Sequence, residues 1–84
     1  MKSNNRYLIY NTYTHSQGYY TGKEYVFQGE RFAVFENDVK EAKTYKTKKI
    51  AEKVANNVYA RALNMGQYEI KNLDLEVNDV EENN

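Results

Sequence analysis

One stretch of this chain carries a helical repeat of apolar residues, and that restricts the fold more than any other feature. Ile50, Ala51, Val54, Ala55, Val58, Tyr59, Ala62 and Leu63 recur at three- and four-residue steps and form one stripe. Lys49, Glu52, Lys53, Asn56, Asn57 and Arg61 lie mostly opposite. The pattern predicts a helix over about 48–65, with Thr47 as N-cap and Gly66 in the C-cap role. A stripe of this kind is buried only against another element, so the rest of the chain must supply that surface.

The rest reads as strand. RYLIYNTYT, residues 6–14, is β-branched and aromatic, with Tyr7, Ile9 and Tyr13 on one face and Leu8, Tyr10 and Thr12 on the other. HSQGYYTG follows as a loop or wide hairpin punctuated by Gly18 and Gly22. KEYVFQ and ERFAVFE are two short strands joined tightly near Gly29, and Phe27, Phe32, Val34 and Phe35 are expected on the buried face. AKTYK is a candidate short strand. QYEIKNLDLEV changes phase between Tyr68/Ile70 and Leu73/Leu75/Val77, which calls for a bulge or break near Lys71–Asn72. The expected fold is α+β: a three- to five-stranded, mainly antiparallel sheet packed against one amphipathic helix, in the order β-β-β-(β)-α-β. Residues 1–77 are expected to form one domain and residues 78–84 an acidic, disordered tail.

Composition narrows the function classes. The chain has 84 residues and no cysteine, which excludes disulfides and Cys-based zinc sites. No run approaches a membrane span and the start lacks an apolar signal core, so a cytoplasmic protein without a membrane partner is expected. Net charge is zero but divided. Residues 1–66 hold 11 Lys/Arg and 6 Asp/Glu, while residues 67–84 hold Lys71 against 6 acids.

No catalytic constellation emerges. His15 and Ser16 are neighbours in an extended segment and point to opposite faces, so they make no nucleophile–base pair. GYYTGKE has three residues between its glycines where a phosphate loop needs four, and Glu24 follows Lys23. Asp74, Glu76 and Asp79 lack the spacing of a calcium loop. No enzyme, cofactor or metal is expected.

Tyrosine is the residue that stands out. Nine occur, and Tyr7, Tyr10, Tyr13, Tyr19, Tyr20 and Tyr25 fall within the first 25 positions among Thr, Ser, Gln and Gly. Tyrosine combines apolar area with a hydroxyl and suits contact surfaces. The expected partner-binding residues are Tyr10, Tyr13, Tyr19, Tyr20, Lys23 and Arg31. Lys46, Lys48 and Lys49 surround the helix start, where they oppose the macrodipole and form a candidate anion or nucleic-acid contact.

With YLIYNTYTHSQGYYTGKEYVFQGERFAVF followed by AKTYKTKKIAEKV, the chain resembles small uncharacterised accessory proteins of staphylococcal and related Firmicute prophages. The resemblance covers residues 6–77 and is most specific at THSQGYYTGKEY. Heavy use of Asn, Lys and Tyr, whose codons are A/T-rich, agrees with a low-GC genome. The resemblance implies a setting, the host-cell cytoplasm, and brings no functional residues with it. Some similar small phage proteins block defence nucleases or replication factors by stoichiometric binding. The expectation is a non-enzymatic module that binds a host protein as an inhibitor. The alternative is a single-stranded nucleic-acid binder using tyrosine stacking and the lysine cluster. A homodimer is a further expectation.

Overall fold

A computed structural model describes residues 6–73. Its elements run β1 (Tyr7–Asn11), β2 (Gly18–Phe27), β3 (Glu30–Glu36), α1 (Lys48–Arg61) and β4 (Tyr68–Asn72). Short 3-10 turns fall at Thr14–Ser16 and Val39–Glu41. The strands form one antiparallel sheet in the order β3-β2-β1-β4, with α1 packed on one face. The fold is the expected α+β arrangement of a sheet against one helix.

The helix begins where the cap chemistry places it. Thr47 is extended, and its hydroxyl accepts the Ile50 N–H at 3.1 Å, satisfying a donor that has no intrahelical partner. It stops four residues earlier than the stripe predicts. Leu63 N–H donates to the Arg31 carbonyl at 3.0 Å, and the Asn64 amide pairs with both the N–H and the C=O of Ala33 at 2.8 and 2.7 Å. These bonds pull residues 62–64 along the outer edge of β3, so the cap is Ala62 and not Gly66. Gly66 serves close approach instead, since a Cβ there would lie 2.8 Å from that of Tyr13.

The core lies between α1 and the sheet. It comprises Ile9, Tyr20, Ala33, Ala51, Ala55, Val58, Ala62 and Met65. Four of these are alanines, so the helix and sheet backbones approach closely, and Tyr20, Met65, Ile9 and Val58 supply the larger volume. Ile50, Tyr59 and Leu63 of the predicted stripe are exposed, because a helix lying on alanines buries a narrow face. Phe27, expected in the core, is 59% exposed, and Phe32 and Val34 lie on the face away from the helix.

The tyrosine-rich segment is strand rather than loop. β2 takes in Gly18, Tyr19 and Tyr20 and bulges between Tyr20 and Glu24, with Gly22 inside the bulge. β1 and β2 pair only at Tyr10–Tyr19 and Asn11–Gly18 before they splay. Residues 43–45 fill the gap, as Lys43 N–H bonds to the Tyr20 carbonyl at 2.9 Å and Tyr45 exchanges two bonds with Tyr7. AKTYK is therefore an isolated bridge, not a strand. The expected break near Lys71–Asn72 falls at the end of β4, while Leu75, Val77 and the acidic tail lie outside the described residues.

Candidate functional site

The β2–β3 hairpin runs past the helix. Glu24 of β2 is level with Arg61, the last residue of α1, and the residues between Glu24 and the turn have no helix beneath them. The turn itself is Gln28 (φ 52°) and Gly29 (φ 80°), the type I′ geometry that matches strand twist. This arm carries Tyr25, Val26 and Phe27, each more than half exposed, and Tyr25 stacks on Phe32 of β3 with ring centroids 5.4 Å apart.

An ionic cluster fixes the arm to the helix. Arg61 donates from Nε and Nη2 to the two Glu24 oxygens at 2.9 and 2.7 Å, and Tyr20 donates its hydroxyl to Glu24 Oε2 at 2.5 Å. Arg31 approaches the same carboxylate at 3.5 Å. The Arg61 hydrogen bonds hold the Glu24 carboxyl down at about 2, despite burial that pushes the other way. Burial raises the Tyr20 hydroxyl far above its ordinary value, and the neighbouring Glu24 adds to the shift. Tyr45 is also raised, chiefly by burial. Glu24 still holds its charge well below neutral pH, so the cluster positions the arm and supplies no group that exchanges protons near neutrality.

The tyrosine expectations separate on this geometry. Tyr20 is 3% exposed and belongs to the core, so the structure removes it from the contact surface. Tyr10 and Tyr19 are half-buried on the helix-free face, edge to face at 5.0 Å, with Lys71 above the Tyr10 ring. Tyr13 is exposed and packs edgewise on His15, an exposed residue of the Thr14–Ser16 turn. Lys23 is exposed in the bulge, and Arg31 is engaged with Glu24. Lys46, Lys48 and Lys49 are exposed at the start of α1. They lie a helix length from Glu24, about 20 Å for fourteen residues.

Sequence reasoning missed Tyr25, Val26 and Phe27 as a contact surface: it places Phe27 on the buried face and assigns Tyr25 and Val26 to no site. No local signal marks them. The ten-residue strand is longer than the four-turn helix and outruns it, whereas the sequence reads the shorter strand KEYVFQ and a helix reaching about residue 65. Beside the arm, Ser16, Gln17, Tyr25, Val34 and Asn64 line an open depression of about 240 Å³, below the roughly 300 Å³ at which small-molecule pockets begin. Among the described residues, no three His, Cys, Asp or Glu gather as a metal set, and no helix is long and apolar enough to cross a membrane. No protein-family model matches this sequence, and no curated protein or solved structure is detectably similar to it.

Proposed function

We propose that the chain is a non-enzymatic protein-binding module that grips its partner with the β2–β3 arm. The observation that supports this reading is the exposure of three consecutive apolar residues, Tyr25, Val26 and Phe27, on an arm tied down by Glu24 and Arg61. Large apolar side chains on a fixed backbone lose little entropy on docking and serve as anchors. Tyr13 and Lys23 extend the surface, and Tyr10 and Tyr19 border it on the helix-free face. The partner proposed is a host protein, with the chain acting in the host cytoplasm as a phage-type accessory inhibitor.

The test is affinity capture by the tagged chain from a low-GC Gram-positive lysate, with and without nuclease, beside a Tyr25→Ala/Phe27→Ala variant. One host protein retained after nuclease and lost in the variant is the expected result. The loss should correspond to more than about 2 kcal/mol if these are anchors, with melting temperature nearly unchanged. Retention by the variant at wild-type level overturns the assignment to the arm.

One observation favours single-stranded nucleic acid as a second reading: the Tyr25–Phe32 stack is open to solvent on a sheet face, as base-stacking platforms are. The lysine cluster does not adjoin it, and Arg31 is held by Glu24. Capture of nucleic acid alone, abolished by nuclease and falling steeply with salt, would put this reading first.

A further inference from the structure

The two edges of the sheet are finished differently. The chain closes the outer edge of β3 itself, through Leu63 and the Asn64 amide. At β4 the register leaves the main chain turned outward. Thr12 N–H bonds to the Gln67 carbonyl and Leu73 N–H to the Arg6 carbonyl, so hydrogen-bonded pairs with β1 alternate through Glu69 and Lys71. The N–H and C=O of Tyr68 and Ile70 therefore point away from β1, and no backbone bond among the described residues meets them. A groove runs beside this edge, walled by Lys48, Glu52 and Asn56 of α1 and by Tyr68, Glu69 and Ile70 of β4, with a volume of about 540 Å³. The Tyr68 hydroxyl donates to Asn56 Oδ1 across its end, and a second hollow of about 330 Å³ lies beyond, beside Tyr59 and Gly66.

We propose that a second copy of this chain occupies the edge, pairing β4 with β4 in antiparallel register about a two-fold axis at Ile70. The sequence of the strand, Tyr-Glu-Ile-Lys-Asn, is self-complementary only in that register. Ile70 exchanges its two outward bonds with Ile70 of the second copy. Glu69 then stands opposite Lys71 of the second copy, and Lys71 opposite its Glu69, on the helix-free face. Within one chain these two side chains already meet at 3.9 Å, so both are placed on that face to reach across. An edge lysine ordinarily discourages strand pairing, whereas a lysine two residues from a glutamate turns the edge towards a copy of itself. Sliding the register by two residues puts glutamate against glutamate or lysine against lysine. The pairing joins the two sheets into one and is isologous, as closed dimers require. Charge complementarity at Glu69 and Lys71 is what selects a second copy over an unrelated strand.

The experiment is sedimentation velocity on the full chain across a concentration series reaching the millimolar range, for wild type, Glu69→Lys and Lys71→Glu. The wild type should pass from 9.9 kDa to twice that mass as concentration rises. Each single reversal places like charges opposite and should weaken self-association by about tenfold. An equimolar mixture of the two variants should recover wild-type association. In the mixed dimer the paired lysines of the Glu69→Lys chain face the paired glutamates of the Lys71→Glu chain, so both cross-strand contacts are again of opposite charge. Circular dichroism confirms that each variant is folded. A wild type that stays monomeric throughout overturns the proposal and leaves the edge to a strand of another protein. A dimer indifferent to both reversals, or a mixture no tighter than its components, overturns it as well.

Discussion

Asn11 is fully buried at the end of β1, and its amide reaches Tyr13, Ser16, Asn64 and Gly66. The nitrogen donates to the Ser16 and Asn64 carbonyls at 2.9 and 3.1 Å, and the oxygen accepts the Gly66 N–H at 3.1 Å. This one side chain ties the β1–β2 connection to the α1–β4 connection, which in turn presents Asn64 to β3. Asn11→Ala removes these partners from the Gly66 N–H and the Ser16 carbonyl, while the Asn64 carbonyl keeps the Ser16 hydroxyl, and should lower unfolding free energy by about 2–4 kcal/mol in a denaturant titration. A loss below about 0.5 kcal/mol, the range of ordinary surface changes, would mean the bonds are not held. Asn11→Asp places a carboxylate oxygen against two carbonyls, which raises its folded-state pKa above the unfolded value. Stability of that variant is best in acid, where the carboxyl donates, and its deficit against wild type should grow as pH rises through the carboxylate range. The sequence shows Asn11 only as a polar residue closing an apolar strand. Nothing in one dimension pairs it with Asn64, 53 positions away.

Elements were legible where their signals are local. The Thr47 cap and the start of α1 depend on a few consecutive residues and follow from the sequence, as does the tight turn at Gly29. The end of α1 does not, because Asn64 is taken by an edge of β3 that lies 31 residues back. The same holds for the arm, whose exposure depends on how far the helix reaches beneath it. The turn of that arm gives a prediction at this scale. Gln28 sits at φ 52°, a left-handed conformation in which glutamine is unfavourable and asparagine or glycine is preferred at this turn position. Gln28→Asn should stabilise by about 0.5 kcal/mol and raise Tm by a few degrees. It touches none of the proposed anchors, so partner capture should stay at the wild-type level. A fall in Tm would show that the turn does not hold this geometry. Thr47→Ala, at the other well-marked boundary, should destabilise by about 1 kcal/mol, measured by thermal melting.

At the scale of the whole molecule, the sheet-on-helix class was legible because only one segment has a helical period. The residues that join its parts were not, since Glu24 and Arg31 meet through the register of β2 with β3 and Arg61 reaches the same carboxylate from the end of α1, 37 positions on. Their meeting sets the pH window of the fold. Glu24 has a folded pKa of about 2 against an ordinary 4.5, so its stabilisation is complete above 4.5 and is lost as pH falls towards 2. With the Arg61 guanidinium partly in solvent, that contribution is about 2 kcal/mol. Tyr20 is raised in the folded state, so its contribution is complete below the ordinary value of 10 and is lost as pH rises above it. Both limits run through one carboxylate, because Glu24 is lowered by Arg61 and itself raises Tyr20. Glu24→Gln should therefore move both ends of the window. The acid-side fall of Tm between pH 4.5 and 2 should flatten relative to wild type, since a titrating carboxyl has gone. On the alkaline side, tyrosinate absorbance should show Tyr20 ionising at lower pH than in wild type while remaining raised, because burial is the larger cause. A variant whose acid slope matches wild type while its Tm is lower throughout would mean Glu24 acts as packing rather than as charge. An unchanged alkaline limb would mean that burial alone sets Tyr20.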